Sequence, residues 1–200
     1  MTAPPTAARF VLRTPESWRS YDLTGAALDA AHQADRAGVT DPVELERLDD
    51  AHRQIAELLR SFVRQGALCA AGSVEPFEDG LLMTFLAVFG LALPARADNS
   101  VGALAAALGP AGSPRQVSVV EIPDTGSAVR VVGTERVALV DGGTVDMLAM
   151  NTVIAVPDTP EQQLLVSAMS PNLPHAAQLY ELFDAITATF RFVPAAPARP

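Results

Sequence analysis

The stretch Glu161–Phe192, EQQLLVSAMSPNLPHAAQLYELFDAITATFRF, decides how the rest of the chain folds. Gln162 to Met169 starts polar and becomes almost continuously apolar, the pattern of a central strand covered on both faces. Ser170-Pro171-Asn172-Leu173-Pro174 then interrupts it. Two prolines three apart do not fit a helix interior, because each lacks an N–H and clashes with the preceding turn. Pro174 suits a first helical turn. From there Leu179, Leu182, Phe183, Ile186 and Phe190 recur at steps of three and four, on one face of a helix. Gln178, Glu181 and Asp184 fall mainly on the other side. The stretch therefore reads as strand, turn and a helix that lids a sheet.

Working outward, the meander Gln116–Ile122, Ala128–Leu139 and Val145–Val156 precedes this strand, with Gln162–Met169 as its fourth member. Asp141-Gly142-Gly143 marks a hairpin between the second and third. Further back lie two more strands, Ala67–Val74 and Gly80–Leu93, joined by a turn over residues 75–80. The second is long for a single strand, which predicts a bulge or bend near Gly90. A short helix is expected over Ser100–Leu108, closed by Gly109-Pro110.

The N-terminal third is helical. Thr24–Ala37 forms a first helix, stopped by Gly38. In the second, Asp41 is the N-cap, Pro42 takes the first helical position, and Glu44 completes a capping-box pattern. Leu45, Leu48, Ile55, Leu58, Leu59 and Phe62 make its apolar face, and Gly66 ends it. Its other face is charged, with Arg53–Glu57 the expected attractive pair and Glu46–Asp50 a repulsive one. Before the helices, Arg9–Arg13 reads as a strand closed by Thr14-Pro15. The polar segment from Glu16 to Leu23 carries the only Trp, Trp18, and one of two Tyr, Tyr21. Residues 9–193 form a single α+β domain: a mainly antiparallel sheet with helices packed on its faces, an α/β/α sandwich. Residues 1–8 and 194–200, rich in Pro and Ala, are expected to be disordered tails.

Composition excludes several functions. A formal net charge of −9 disfavours a nucleic-acid backbone or an anionic membrane as partner. The apolar run Leu81–Leu93 would reach about 20 Å as a helix, short of the roughly 30 Å hydrocarbon core, so it is no membrane span. All 14 basic residues are Arg, which points to coding bias in a high-G+C bacterial genome. The opening MTAPPTAARF has neither the basic flank nor the apolar core of a secretory signal, so the expected location is cytoplasmic.

Reactive constellations are equally scarce. Cys69 is the lone cysteine and sits in an apolar strand, as a small hydrophobe would. His32, His52 and His175 show no metal-ligand spacing, and His52 is expected to meet Asp49, Glu46 or Glu57 on its own helix. No GxSxG elbow or P-loop occurs, and Glu75, Glu78 and Asp79 lack EF-hand spacing. No catalytic residue, metal or cofactor is assigned. The candidate ligand-contacting residues are Trp18 and Tyr21, whose aromatic faces could line a pocket between sheet and helices. A homodimer joined through the Leu81–Leu93 strand is a further reading.

One family likeness is carried by particular residues. Phe10–Pro15 followed by Trp18, the hairpin Val129–Val156, and a close in which "S…P" precedes a helix of form LxxLFDxIxxTxR together resemble the PsbP-like α/β/α sandwich, with its bacterial lipoprotein and DcrB-type relatives. The resemblance implies a non-enzymatic accessory role through protein–protein contacts. Members serve in photosystem assembly and Ran binding in eukaryotes, and as envelope lipoproteins or secretion adaptors in bacteria. The family shares no catalytic residues to carry over. The chain departs from the lipoproteins in lacking a signal peptide and lipidated Cys.

Overall fold

In the computed structural model, the structure describes residues 9–77, 80–92, 115–138, 142–159 and 162–193. The helix expected at Ser100–Leu108 and both expected tails lie outside these residues. Among the described residues there are nine strands: β1 (Phe10–Val11), β2 (Arg19–Tyr21), β3 (Ala67–Phe77), β4 (Gly80–Ala92), β5 (Arg115–Ile122), β6 (Gly126–Ala138), β7 (Thr144–Ala155), β8 (Gln162–Ser170) and β9 (Arg191–Phe192). The helices are α1 (Ala26–Gly38), α2 (Pro42–Arg64) and α3 (Ala176–Thr187). No described helix is long and apolar enough to cross a membrane.

Seven strands make one antiparallel sheet in the order β2-β3-β4-β8-β7-β6-β5. β8, the apolar strand of the deciding stretch, is its middle member. The meander β5-β6-β7-β8 folds in sequence, and β8 then pairs with β4 of the β3–β4 hairpin. Strand alternation distributes the side chains to two cores. On one face Leu86, Val88, Leu164, Val166 and Ala168 meet Leu179, Phe183 and Ile186 of α3. On the other Ala87 and Phe89, with Leu165 and Met169 at their flank, meet Leu59 and Phe62 of α2. The fold is α+β, with helices on both faces of the sheet.

Within one chain β4 is hydrogen-bonded to β3 and, from Phe85 on, to β8, and Thr84–Phe89 are buried, while Leu81 stays exposed. Its expected irregularity falls on the partner instead. The register shifts between Ala67 and Cys69, leaving Leu68 as the extra residue of β3. Gly90 lies beside it, and a Cβ there would come 3.9 Å from Leu68 Cδ1.

The turn after β8 substitutes side chains for a strand. Where β8 stops, Asn172 Oδ1 accepts from Met83 N at 2.9 Å, and Asn172 Nδ2 donates to Leu81 O at 2.8 Å. Ser170 Oγ donates to Met83 O at 2.7 Å. One primary amide thus extends the edge pairing of β4 past the end of its neighbour. Pro174 lies in a 3-10 turn, Leu173–His175, that leads into α3. Tyr180 Oη donates to Gly133 O at 3.0 Å, and Asp184 pairs with Arg130, tying α3 to β6.

Two strands, β2 and β9, were not legible as such. Arg19–Tyr21 pairs with Gly72–Ala70 and forms the sheet's far edge. The N-terminal strand is shorter than Arg9–Arg13 and pairs with β9, Phe10 opposite Phe192, in a separate two-stranded sheet. Phe10 stacks on the fully buried Phe190, and Arg13 N donates to Thr189 Oγ1 at 2.8 Å.

α2 begins as the sequence requires, with Asp41 accepting from Val43 N at 2.9 Å and Pro42 at the first position. Gly66, at φ +82°, closes it. The charge pairing differs from expectation. Arg53 binds Asp50, and Glu57 is taken by Arg60 and Arg64, which lie C-terminal to it, the favoured orientation on a helix.

Replacing Phe183, wholly enclosed between α3 and the sheet, with Ala lowers unfolding free energy by about 3–5 kcal/mol in urea titration. Asn172→Ala costs about 1–3 kcal/mol by the same measurement, since two backbone groups of β4 lose their partner.

Candidate functional site

A cavity of about 430 Å³ lies between the α1–α2 pair and the β2–β3 edge of the sheet. Its floor is backbone. Gly72 leaves it bare, and a Cβ there would fall 2.4 Å from Thr84 O, so no other residue fits without displacing β4. Arg19 and Tyr21, two apart on β2, project from the same face as Gly72, which pairs with Arg19. Leu28 and Ala31 of α1 and Leu48 and Ile55 of α2 supply the apolar roof.

The polar roof consists of His32, Asp35 and His52, and Glu75 of β3 adds a second carboxylate to the lining. The two histidine rings stack across the helix pair, centroids 4.0 Å apart and planes within 11°. Each is held by a carboxylate of the opposite helix: His32 Nε2 is 2.8 Å from Asp49 Oδ1, and His52 Nε2 is 3.0 Å from Asp29 Oδ1. The arrangement follows from sequence. DAAH at 29–32 and DDAH at 49–52 place an Asp and a His one turn apart on each helix, and antiparallel packing crosses the pairs. His52 therefore does not use Asp49, Glu46 or Glu57 of its own helix. A same-helix Asp three residues before it faces His32, because the ring of each His leans toward the other helix.

Arg36 also pairs with Asp49, and its hydrogen bond, together with that of His32, holds the Asp49 carboxyl below the usual range. These contacts add to the packing of half-buried Leu28 on the α2-side core in attaching α1, none of whose residues is fully buried. Burial pushes the Tyr21 phenol up, with Arg19 partly drawing it back, so at neutral pH the hydroxyl is a donor. Arg19 lines the cavity with no ion-pair partner among the described residues. Ser73 is turned to the other face, where its Oγ is 3.0 Å from Thr84 Oγ1.

The two aromatic candidates separate. Tyr21 lines the cavity, whereas Trp18, only 8% exposed, is packed into the core on the α3 side of the sheet. Arg19 and the crossed His–Asp pairs were not singled out by sequence reasoning. The repeated D-x-A-H spacing on consecutive helices was the signal available for the latter. Cys69 is half-buried and burial raises its thiol pKa, which disfavours the reactive thiolate. Among the described residues, no three His, Cys, Asp or Glu side chains converge as a metal ion would need.

No protein-family model matches this chain, and no curated protein matches it in sequence.

The lowered Asp49 pKa has a direct consequence for acid stability. The unfolded chain takes up that proton first, at about pH 3.9. The contribution of Asp49 is therefore complete above that value and is lost as pH falls through the lower folded-state value. Asp49→Asn flattens the acid limb of a stability-versus-pH curve measured by urea unfolding, and leaves a residual slope from Glu57 and Asp146, which are shifted the same way.

Proposed function

We propose that this chain is a non-enzymatic binding protein and that the cavity under α1–α2 receives a small organic anion. Arg19 carries the reading. It is a permanent cation in a concave site, free of an ion-pair partner among the described residues and flanked by the Tyr21 hydroxyl donor. Leu28, Leu48 and Ile55 suit the apolar part of such a ligand, and the volume falls in the usual range for small-molecule sites. The stacked imidazoles add polar ring atoms at the roof. Nothing in this set pairs a nucleophile with a base, which favours binding over turnover.

A second reading retains the adaptor role implied by the PsbP-like resemblance, with a protein partner. It is favoured by Val74, Phe77, Leu81 and Leu173, large apolar side chains left exposed around the β3–β4 hairpin and the turn after β8. Phe77 is propped edge-on by His175, with ring centroids 4.9 Å apart.

Thermal melts with a panel of small aliphatic and aromatic carboxylates separate the two. On the first reading one class raises the midpoint, with about 2.7 kcal/mol of stabilisation at a hundredfold excess over Kd. Arg19→Ala loses that shift while its ligand-free melting is unchanged. A panel without effect, or a shift that survives Arg19→Ala, sinks the anion site. A partner bound by wild type and by Arg19→Ala, but not by Phe77→Asp or Leu81→Asp, establishes the adaptor reading.

A further inference from the structure

The sheet ends at β5, and that edge is built unlike the other. β2, at the opposite end, is only three residues long and lies beside the α1–α2 cavity. β5 runs for eight residues, RQVSVVEI, paired to β6 along its whole length and to no strand on its outer side among the described residues. It carries no proline, no lysine and no bulge, the devices by which sheet edges avoid further pairing. At its middle, Val117 and Val119 are 40% and 58% exposed. Both lie on the face opposite α3, since their neighbours in the ladder are Val131 and Val129.

We infer that two copies of this chain join through β5, antiparallel about a two-fold axis at Ser118, so that one sheet continues into the next. The sequence of the strand selects that register. With Ser118 opposite itself, Val117 faces Val119 of the second copy, and Gln116 faces Val120. Arg115 then faces Glu121, and the symmetry makes each of these pairs twice. Centring the axis on Val117 sets Arg115 against valine, and centring it on Val119 sets Glu121 against valine. Only the Ser118 register matches both charges and both valines while keeping equivalent faces on one side. The Arg115 side chain is 11% exposed, with Nη2 buried 3.5 Å from Glu135 Oε1 and without a hydrogen-bond partner, so pairing with Glu121 of the second copy requires the guanidinium to swing out to the open edge. Glu121 is exposed and bonded to the Ser127 hydroxyl, leaving carboxylate lone pairs for a cation. The outer N–H and C=O groups of β5 supply the ladder, and the four valines pack across it.

Sedimentation of the full chain over a wide concentration range tests this. Wild type is expected at twice the 21.0 kDa chain mass. Glu121→Arg sets Arg against Arg twice, and Val119→Lys buries charge among the valines. Each should weaken association by about tenfold or more, with circular dichroism unchanged. Arg115→Glu alone should also be monomeric, and mixing it with Glu121→Arg should restore a heterodimer, because both charge pairs are then attractive. A wild type that stays monomeric throughout overturns the inference. So does a dimer whose affinity neither Glu121→Arg nor Val119→Lys changes.

Discussion

Everything in this fold depends on β4 and β8 lying side by side with both of their faces covered. Strand alternation forces a run such as LLMTFLAVFG or LLVSAMS to send apolar groups both ways, and neither way can end in water. One helix cannot satisfy that requirement. α3 covers Leu86, Val88, Leu164, Val166 and Ala168, and α2 covers Ala87 and Phe89 from behind. The chain has to supply helical cover before and after its strands, and the order helices, strands, helix follows. The position of β8 in the middle of the sheet, reached last of the seven strands in the chain, is the topological expression of the same demand.

The two helical layers are held by different physics. α3 buries Leu179, Phe183, Ile186 and Thr187 and is reinforced by the Tyr180 hydrogen bond and the Asp184–Arg130 pair to β6, so its attachment is chiefly hydrophobic. α1 has no fully buried residue; its half-buried Leu28 packs on the α2-side core, and Asp contacts to histidine and arginine fasten it to α2. Charged contacts of that kind are individually weak in water and respond to salt and protons. The cavity lies on this electrostatically fastened side. Its polar groups are therefore also part of what positions its roof.

How much could be read in the sequence divides along the same line. The continuous apolarity of Gln162–Met169, the steps from Leu179 to Ile186 and the Asp41-Pro42 start are local patterns, and the structure places all three as those patterns require. Phe190, expected on the same helix face, instead lies past the helix end at Thr187 and reaches the core from the turn before β9. What escaped was information that exists only between elements. Arg19–Tyr21 is a strand because β3 offers it partners, not because its residues favour one. His52 turned to Asp29 because an antiparallel neighbour was nearer than its own helix allowed. Trp18 and Tyr21 looked like one aromatic feature, yet β2 and the turn before it send them to opposite sides of the sheet. Leu68, rather than the conspicuous Gly90, absorbs the strain of the long hairpin.

The clasp of β1 on β9 sets an order on folding. Arg13 and Thr189 bond across 176 positions, and Phe10 meets Phe192 only when nearly the whole chain has closed on itself. Contacts of that separation return their entropy cost only after the intervening sheet has already drawn the ends together. The clasp is therefore the final step, and a chain emerging from the ribosome cannot complete it until its last strand is free. Until then the Phe190 ring lacks one of its covers, so the apolar end of the α3 core is sealed only when the first and last described strands meet.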